Sequence, residues 1–238
     1  MQRIVVSNIV VDVVRKNIKN LHLAVYPPNG RVRVAVPLRM NNDAVRLAII
    51  TRLAWIKRHQ TKFAAQERQS AREFVTGESH YFQGRRYRLN VVYHNSAPRV
   101  TIRGNTVIEL YVREGSDRSR RQRVLIEWYR GQLKEQIPLL VEKWQPILKV
   151  SIAEWGVKQM KTKWGTCKVK AHRIWLNLEL AKKPVNCLEY IVVHEMLHLL
   201  ERNHSDRFKA LMDKFMPLWR SYREELNKMP LGHEAWEY

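Results

Sequence analysis

The sequence predicts an α+β fold built from small antiparallel sheets and several helices, and three observations indicate this class. Several short stretches alternate apolar and polar residues, as half-buried strands do. Between them lie single stretches in which apolar residues recur at steps of three and four, the helical period. Clusters of strands separated by single helices favour antiparallel sheets over a doubly wound parallel sheet.

The first part of the chain is expected to be rich in strands. Residues 3–40 alternate, which predicts a β-hairpin or a small meander. The pattern becomes helical at Asn42, a good N-cap residue, and stays helical to about Gln69. Residues 78–112 return to alternation and predict three or four short antiparallel strands.

A second helix is expected to begin near Asp117 and to end near Ile137. Pro138 and Pro146 lack the backbone N–H that interior helical positions donate, and their rings clash with the preceding turn. A continuous helix through Lys149 is therefore not expected.

The last third combines a pair of strands with further helices. Residues 150–180 alternate around a glycine-containing turn, and helices are expected over 184–202 and 205–228. We therefore predict a β-rich N-terminal region with one helix over residues 1–115 and a helix-rich catalytic region over 116–238. These two regions can also form one compact unit.

Composition is typical of a globular protein of the cytoplasm. The chain has 238 residues, of which 45% are hydrophobic, and its longest apolar windows are shorter than the roughly 20 residues that span a bilayer. Its amino terminus does not resemble a signal peptide. Two cysteines, Cys167 and Cys187, cannot provide a disulfide framework. We expect a cytoplasmic protein with no membrane span.

The chain is strongly basic, with 43 Lys and Arg against 22 Asp and Glu and a formal net charge of +21. Such an excess attracts polyanions, of which nucleic acid is the commonest inside cells. The alternative is a set of scattered, solvated cations that only keep the protein soluble. One local cluster, REGSDRSRRQR, covers residues 113–123. Charge does not read bases, so DNA is a possible partner without a predicted sequence preference.

The stretch VVHEMLHLLERNHSDRF, residues 192–208, carries the clearest chemistry. His194 and His198 are four residues apart, so on a helix they share one face and both imidazoles can bind one zinc ion. Glu195 follows the first histidine and is placed to act on a water molecule instead of binding the metal. This HExxH pattern predicts two metal ligands and a general base.

His204 is the expected third ligand. It lies beyond the reach of the same helical face, so the chain must turn after His198, and Asn203 tolerates the left-handed conformation that ends many helices. Ser205 and Asp206 can then cap a new helix. A catalytic zinc site has three protein ligands and keeps one position for water, which His194, His198 and His204 satisfy.

Two alternatives stay open for this stretch: a helix with structural histidines, and a structural zinc, which usually takes four protein ligands and more cysteine. Cys167 can be a buried small residue, a fourth zinc ligand or a redox-sensitive thiol. Glu201, Asp206 and Asn186 are candidate partners that orient the imidazoles, and the alternative for each is an ordinary surface or cap residue. Donors for an oxyanion are sought among His172, Tyr190, Arg207 and Tyr222, and the sequence does not choose between them.

Together these segments resemble a known family. HExxH followed by a third histidine and SDRF is similar to the SprT and WLM types of zincin metallopeptidase. KTKWGTC, the IWLNLEL strand and their spacing to YIVVHEMLHLLERNH are similar to the YgjP-like metallopeptidases, as are GESHYFQGRRYRL and AIITRLAWIKRH. Thr166 stands where a serine is more usual in that family's turn.

The resemblance implies a zincin-like domain that hydrolyses peptide bonds with Zn²⁺. We expect zinc on His194, His198 and His204 and Glu195 as general base. The RIWLNLEL strand can be an edge that holds a protein or peptide substrate, a plain core strand with Ile174, Leu176 and Leu178 on one face, or both. The second hypothesis is a DNA-associated protein whose proteolysis is directed to DNA-bound proteins or is vestigial. A zinc hydrolase that does not act on peptides is the third.

Overall fold

The structure is a computed structural model that describes residues 2–26, 29–65, 72–160 and 163–228. The described residues form two compact units, one before residue 70 and one from residue 72 onward. The boundary predicted at residue 115 therefore falls inside the second unit. The reason is a shared core, because the strands before residue 115 bury their apolar face against the long helix that follows it.

The first unit contains four strands and two helices: β1 Gln2–Val6, β2 Ile9–Lys16, β3 His22–Tyr26, β4 Arg31–Pro37, α1 Asn42–Ile50 and α2 Leu53–Ala65. Valines on one sheet face, among them Val11 and Val34, share a core with Ile49 of α1 and Ile56 of α2. The single helix predicted from Asn42 is thus two helices. Its predicted end at residues 66–69 lies outside the described residues.

The second unit begins with β5 Ser79–Phe82, β6 Arg85–Tyr93, β7 Arg99–Arg103, β8 Val107–Val112 and α3 Arg118–Leu148. It continues with β9 Glu154–Lys158, β10 Gly165–Lys168, β11 Arg173–Asn177, α4 Val185–Leu197, α5 Asp206–Phe215 and α6 Trp219–Lys228. The predicted α+β class is confirmed.

The prediction of purely antiparallel sheets is wrong, because all three sheets are mixed. Their strand orders are β1-β2-β4-β3, β5-β6-β8-β7 and β10-β11-β9. The inner pairs β2–β4 and β6–β8, and the pair β11–β9, are parallel. In each four-stranded sheet two hairpins lie with their second strands side by side, and these strands run in the same direction.

The two four-stranded sheets repeat one topology. The first hairpin of each turns through two residues with positive φ, Ser7–Asn8 in one sheet and Gln83–Gly84 in the other. The helix that follows is capped by the side chain of Asn41 in the first unit and of Asp117 in the second. Each residue of the first sheet or its cap is separated from its counterpart in the second by the same number of residues: Ser7 from Gln83, Asn8 from Gly84, and Asn41 from Asp117. The chain therefore contains a repeated ββββα module, which its residue pattern did not reveal.

Helix α3 runs through both of its prolines, contrary to the prediction that it would end near Ile137. Its buried stripe is formed by Leu125, Tyr129, Leu133, Ile137, Val141, Trp144 and Leu148. Pro138 and Pro146 lie off this stripe, so packing along the other face holds the helix together. Neither α3 nor any other helix within the described ranges is long and apolar enough to cross a membrane.

Candidate metal centre

Helix α4 positions the first two histidines. His194 and Glu195 lie in its last turn, and His198 is its C-cap with helical backbone angles. The two imidazoles are therefore one turn apart, with ring centroids separated by 5.0 Å. Nine residues of α4 are buried, so the helix is fixed by its packing.

The chain turns after α4 without the left-handed residue that was predicted at Asn203. The residues with positive φ do not include Asn203. Instead the helical turn continues past His198, where the N–H of Glu201 donates to the carbonyl of Leu197 at 2.9 Å. Ser205 then caps α5 by accepting a hydrogen bond from the N–H of Phe208 at 3.3 Å, as predicted.

This turn brings the third histidine to the other two. One ring nitrogen each of His194, His198 and His204 lies within 4.8 Å of the others, and together they can hold a metal ion. The Nε2 atoms of His204 and His194 are 2.9 Å apart. Phe208 lies against all three rings, with centroid distances of 4.8 to 5.0 Å.

Burial favours the neutral, metal-binding form of two of the imidazoles, those of His194 and His204. Burial, followed by the charges of His198, His204 and Arg223, lowers the pKa of His194 to about 3. Burial and the charges of His198 and Arg223 also lower the pKa of His204. The Nδ1 atom of His198 lies 3.1 Å from the carbonyl of Glu201, which leaves its Nε2 for a metal. The donor set therefore fits zinc.

Glu195 is buried beside this cluster and is not part of it. Its side chain points at Gly165 in β10: a Cβ atom added to Gly165 would lie 2.6 Å from Oε1 of Glu195. Burial raises the pKa of Glu195 to about 8, and the charge of Lys163 opposes this rise. The glycine of the WGTC turn thus leaves the space that the carboxyl group occupies.

Partners predicted for the imidazoles are found only in part. Glu201 contributes its backbone carbonyl, whereas Asp206 pairs with Lys209 and Asn186 bonds to Glu225. Among the candidate oxyanion donors, Tyr190 packs edge-to-face with His194, with the two ring centroids 5.8 Å apart. His172 instead lies beside the carbonyl of Ser151 in the turn before β11.

Cys167 lies near Glu195 and not in the histidine cluster. Burial and the charge of Glu195 raise the pKa of this thiol to about 11, which favours the structural reading over a zinc ligand. Sequence reasoning missed Phe208 as support for the rings, Arg223 as a nearby cation and Lys163 beside the carboxyl group. Phe208 lies in α5, Arg223 in α6 and Lys163 just before β10. The local sequence pattern of these segments does not indicate which part of the protein they pack against.

The YgjP-like metallopeptidase domain model matches residues 19–229. The chain belongs to the YgjP-like family. The match includes the histidine cluster, Glu195 and the WGTC turn, and it extends well into the first unit. A comparison with individually curated proteins gives no match. The resemblance deduced from the motifs is confirmed, and the YgjP-like assignment supports a metal-dependent hydrolase.

Proposed function

We propose that this YgjP-like protein is a zinc metallopeptidase that hydrolyses peptide bonds. The observation that carries the proposal is the convergence of three imidazoles next to a buried carboxyl group that is not itself in the cluster. His194, His198 and His204 would hold the ion. That arrangement leaves a coordination position for water, as catalytic zinc sites do.

The chain's own residues define the chemistry. Bound zinc supplies a positive charge that acidifies water and polarises the scissile carbonyl. The charge of a bound ion would oppose the rise that burial causes in the pKa of Glu195. The ionised carboxylate would then accept the proton of the attacking water and deliver it to the leaving nitrogen. Gly165 leaves room for the carboxyl group of Glu195, and Phe208 packs against the three imidazole rings and limits their movement.

Of the two interpretations of RIWLNLEL, the core strand agrees with the burial of Ile174, Leu176 and Leu178. Strand β11, which contains most of RIWLNLEL, is the central strand of its sheet and pairs with β10 and β9. Strands β10 and β9 are the two edges of this sheet among the described residues, and β10 is the one that holds Gly165 against Glu195. We therefore place an extended peptide substrate along β10, where main-chain hydrogen bonds bind peptides with little demand on sequence.

Zinc content tests the metal site. The wild type should hold about one zinc per chain, and His204→Ala should lose most of it because two imidazoles bind zinc far more weakly than three. His22→Ala is the matched control, since His22 is an exposed residue of β3. Equal zinc in His204→Ala and wild type would refute the three-histidine site.

Glu195→Gln separates catalysis from metal binding. The variant should retain zinc and lose peptide hydrolysis, measured on a mixed peptide library by mass spectrometry, because glutamine cannot accept the proton. Full activity of Glu195→Gln would refute its role as base. Zinc without peptide cleavage in the wild type would favour a hydrolase that acts on other substrates.

The second candidate is proteolysis of proteins bound to DNA, or a DNA-associated role in which proteolysis is vestigial. Its support is the net charge of +21, which attracts nucleic acid. Peptide cleavage that rises when DNA is added would favour this candidate. Cleavage that is indifferent to DNA, together with no binding, would remove it.

A further inference from the structure

The β5–β8 sheet has one covered face and one open face. Apolar residues such as Leu89 and Leu110 pack on the core beneath α3. The side chains at the alternate positions of the same strands point to the opposite face of the sheet. We define the open-face cluster as Arg86, Arg88, Arg99, Arg103, Glu109 and Tyr111.

Strand register places these residues side by side. Arg88 of β6 lies beside Val107 of β8, and Val107 pairs with Arg103 of β7. Two levels along the same face, beyond the pair Thr101–Glu109, Tyr111 pairs with Arg99, whose guanidinium lies 4.1 Å from the ring centroid. Neighbouring strands are about 4.8 Å apart, and the cations lie on β6 and β7, which are two spacings apart, so the cluster spreads them over a surface about 10 Å wide.

Most of this positive charge is not neutralised within the described part of the chain. Glu109 is held by Arg103 at 3.2 Å and by the Tyr111 hydroxyl at 2.9 Å. Arg86 and Arg88 are exposed and form no ion pair with any described residue. The face therefore presents an excess of guanidinium groups to solvent.

The equivalent sheet of the first unit shows the contrast. The position that matches Arg88 in the repeated module is Asp12, which is 3% exposed. Asp12 pairs with Arg3 and Arg31. That face thus has a buried acid that pairs with two arginines, whereas the second sheet has an arginine at the matching position.

The basic run singled out in the sequence is a weaker candidate. Arg118 donates to the carbonyl of Arg72, and Arg121 donates to the carbonyls of Ser116 and Glu73. These side chains tie the segment before β5 to the start of α3. Arg118 and Arg121 are thus engaged in hydrogen bonds within the protein. Arg86 and Arg88 of the open-face cluster are better placed to bind a ligand, because they form no ion pair with any described residue.

We propose that the open-face cluster binds single-stranded nucleic acid. Arg86 and Arg88 would contact phosphates, and the stacked pair Arg99–Tyr111 offers a planar surface for an unstacked base. A sheet face has no ridge that enters the major groove as a helix does, so duplex DNA fits it poorly. The proposal concerns a surface separate from the histidine cluster and does not depend on the peptidase assignment.

The test measures binding of a short labelled single-stranded oligonucleotide by fluorescence anisotropy at several salt concentrations. The Arg86→Glu/Arg88→Glu variant should weaken binding by at least about tenfold and reduce the salt slope by about 1.4, the value for two lost phosphate contacts. The matched control is Arg39→Glu/Arg58→Glu, which changes net charge equally at exposed arginines of the first unit. It should weaken binding by less than about threefold, because these two arginines are not among the cluster residues that would contact phosphates.

Several outcomes would overturn the proposal. They are absence of binding by the wild type, equal weakening in both double variants, equal affinity for duplex of the same sequence, and competition by polyglutamate as effective as that by unlabelled oligonucleotide. Circular dichroism checks folding, and Arg86→Gln/Arg88→Gln answers the same question if charge reversal unfolds the protein. Binding should persist after zinc removal by a chelator, so failure here and failure of the zinc-site experiments are distinguishable.

Discussion

The carboxyl group of Glu195 lies against the backbone of Gly165, on the edge strand that faces it. A Cβ atom at Gly165 would be 2.7 Å from Cγ of Glu195 and 2.9 Å from its Cδ, distances that real Cβ atoms do not tolerate. The turn motif and the metal-binding motif are thus parts of one arrangement. Gly165 does not have a positive φ, so its backbone conformation does not require a glycine. The requirement comes from the side chain of Glu195, thirty positions further along the chain, which occupies the space that a Cβ atom would need.

Gly165→Ala should therefore displace Glu195. We expect hydrolysis to fall by at least about 100-fold, since misplacement of a catalytic group by about 1 Å has this effect, while zinc content stays near the wild-type value. Gly131→Ala is the matched control, because a Cβ there meets open space in α3 and should stabilise the helix by up to about 1 kcal/mol. Unchanged turnover in Gly165→Ala would contradict the assignment of Glu195.

Phe208→Ala should weaken zinc binding without removing any ligand. Phe208 is 3% exposed and contacts all three imidazoles. Its loss leaves a cavity, so we expect a loss of about 3–5 kcal/mol in the free energy of unfolding and about 10- to 100-fold weaker zinc affinity. Chelator competition and thermal unfolding measure the two effects. Phe215→Ala, on the same helix but away from the rings, should leave zinc affinity unchanged.

Asn177→Ala should loosen the segment that leads into β10. The Asn177 side chain accepts from the N–H groups of Met160 and Glu179 and donates to the carbonyls of Met160 and Lys163. Losing these buried bonds should lower the free energy of unfolding by about 2–4 kcal/mol. Asn186→Ala removes a bond to Glu225 and should cost at most about 1 kcal/mol. Similar urea denaturation of the two variants would contradict this role.

Asp12→Asn should destabilise the first unit in a pH-dependent way. Burial raises the pKa of Asp12, but the hydrogen bonds and charges of Arg31 and Arg3 outweigh it and lower the pKa. A lowered folded-state pKa adds stability above the unfolded value of about 3.9, and that stability is lost as pH falls through the folded value.

The variant should therefore lose about 1–3 kcal/mol at neutral pH, and its difference from wild type should shrink below about pH 4. Asp43→Asn, an exposed acid in the first turn of α1, should change stability by no more than about 0.5 kcal/mol. Denaturant titrations across pH measure both variants. A difference from wild type that stays constant down to acid pH would refute the ion-pair origin.

Local patterns predicted much of this molecule because they act over a few residues. The spacing of His194 and His198 follows from helical geometry, and the Ser205 cap follows from the chemistry of its hydroxyl group. The family was also recognisable, since its motifs are contiguous stretches. By contrast, local rules predicted a break at Pro138 and a left-handed Asn203, and packing overrode both.

The sequence by itself determined the α+β class, the family and the candidate metal residues, because each rests on residues close together in the chain. Tertiary structure alone decided that Gly165 accommodates Glu195 and that Phe208 contacts the imidazoles. It decided as well that β10, and not β11, lies at an edge of its sheet. It also decided the parallel strand pairs and the repeated module. These features depend on contacts between segments far apart in sequence, whose relative placement is set by burial of the whole core and not by any local pattern.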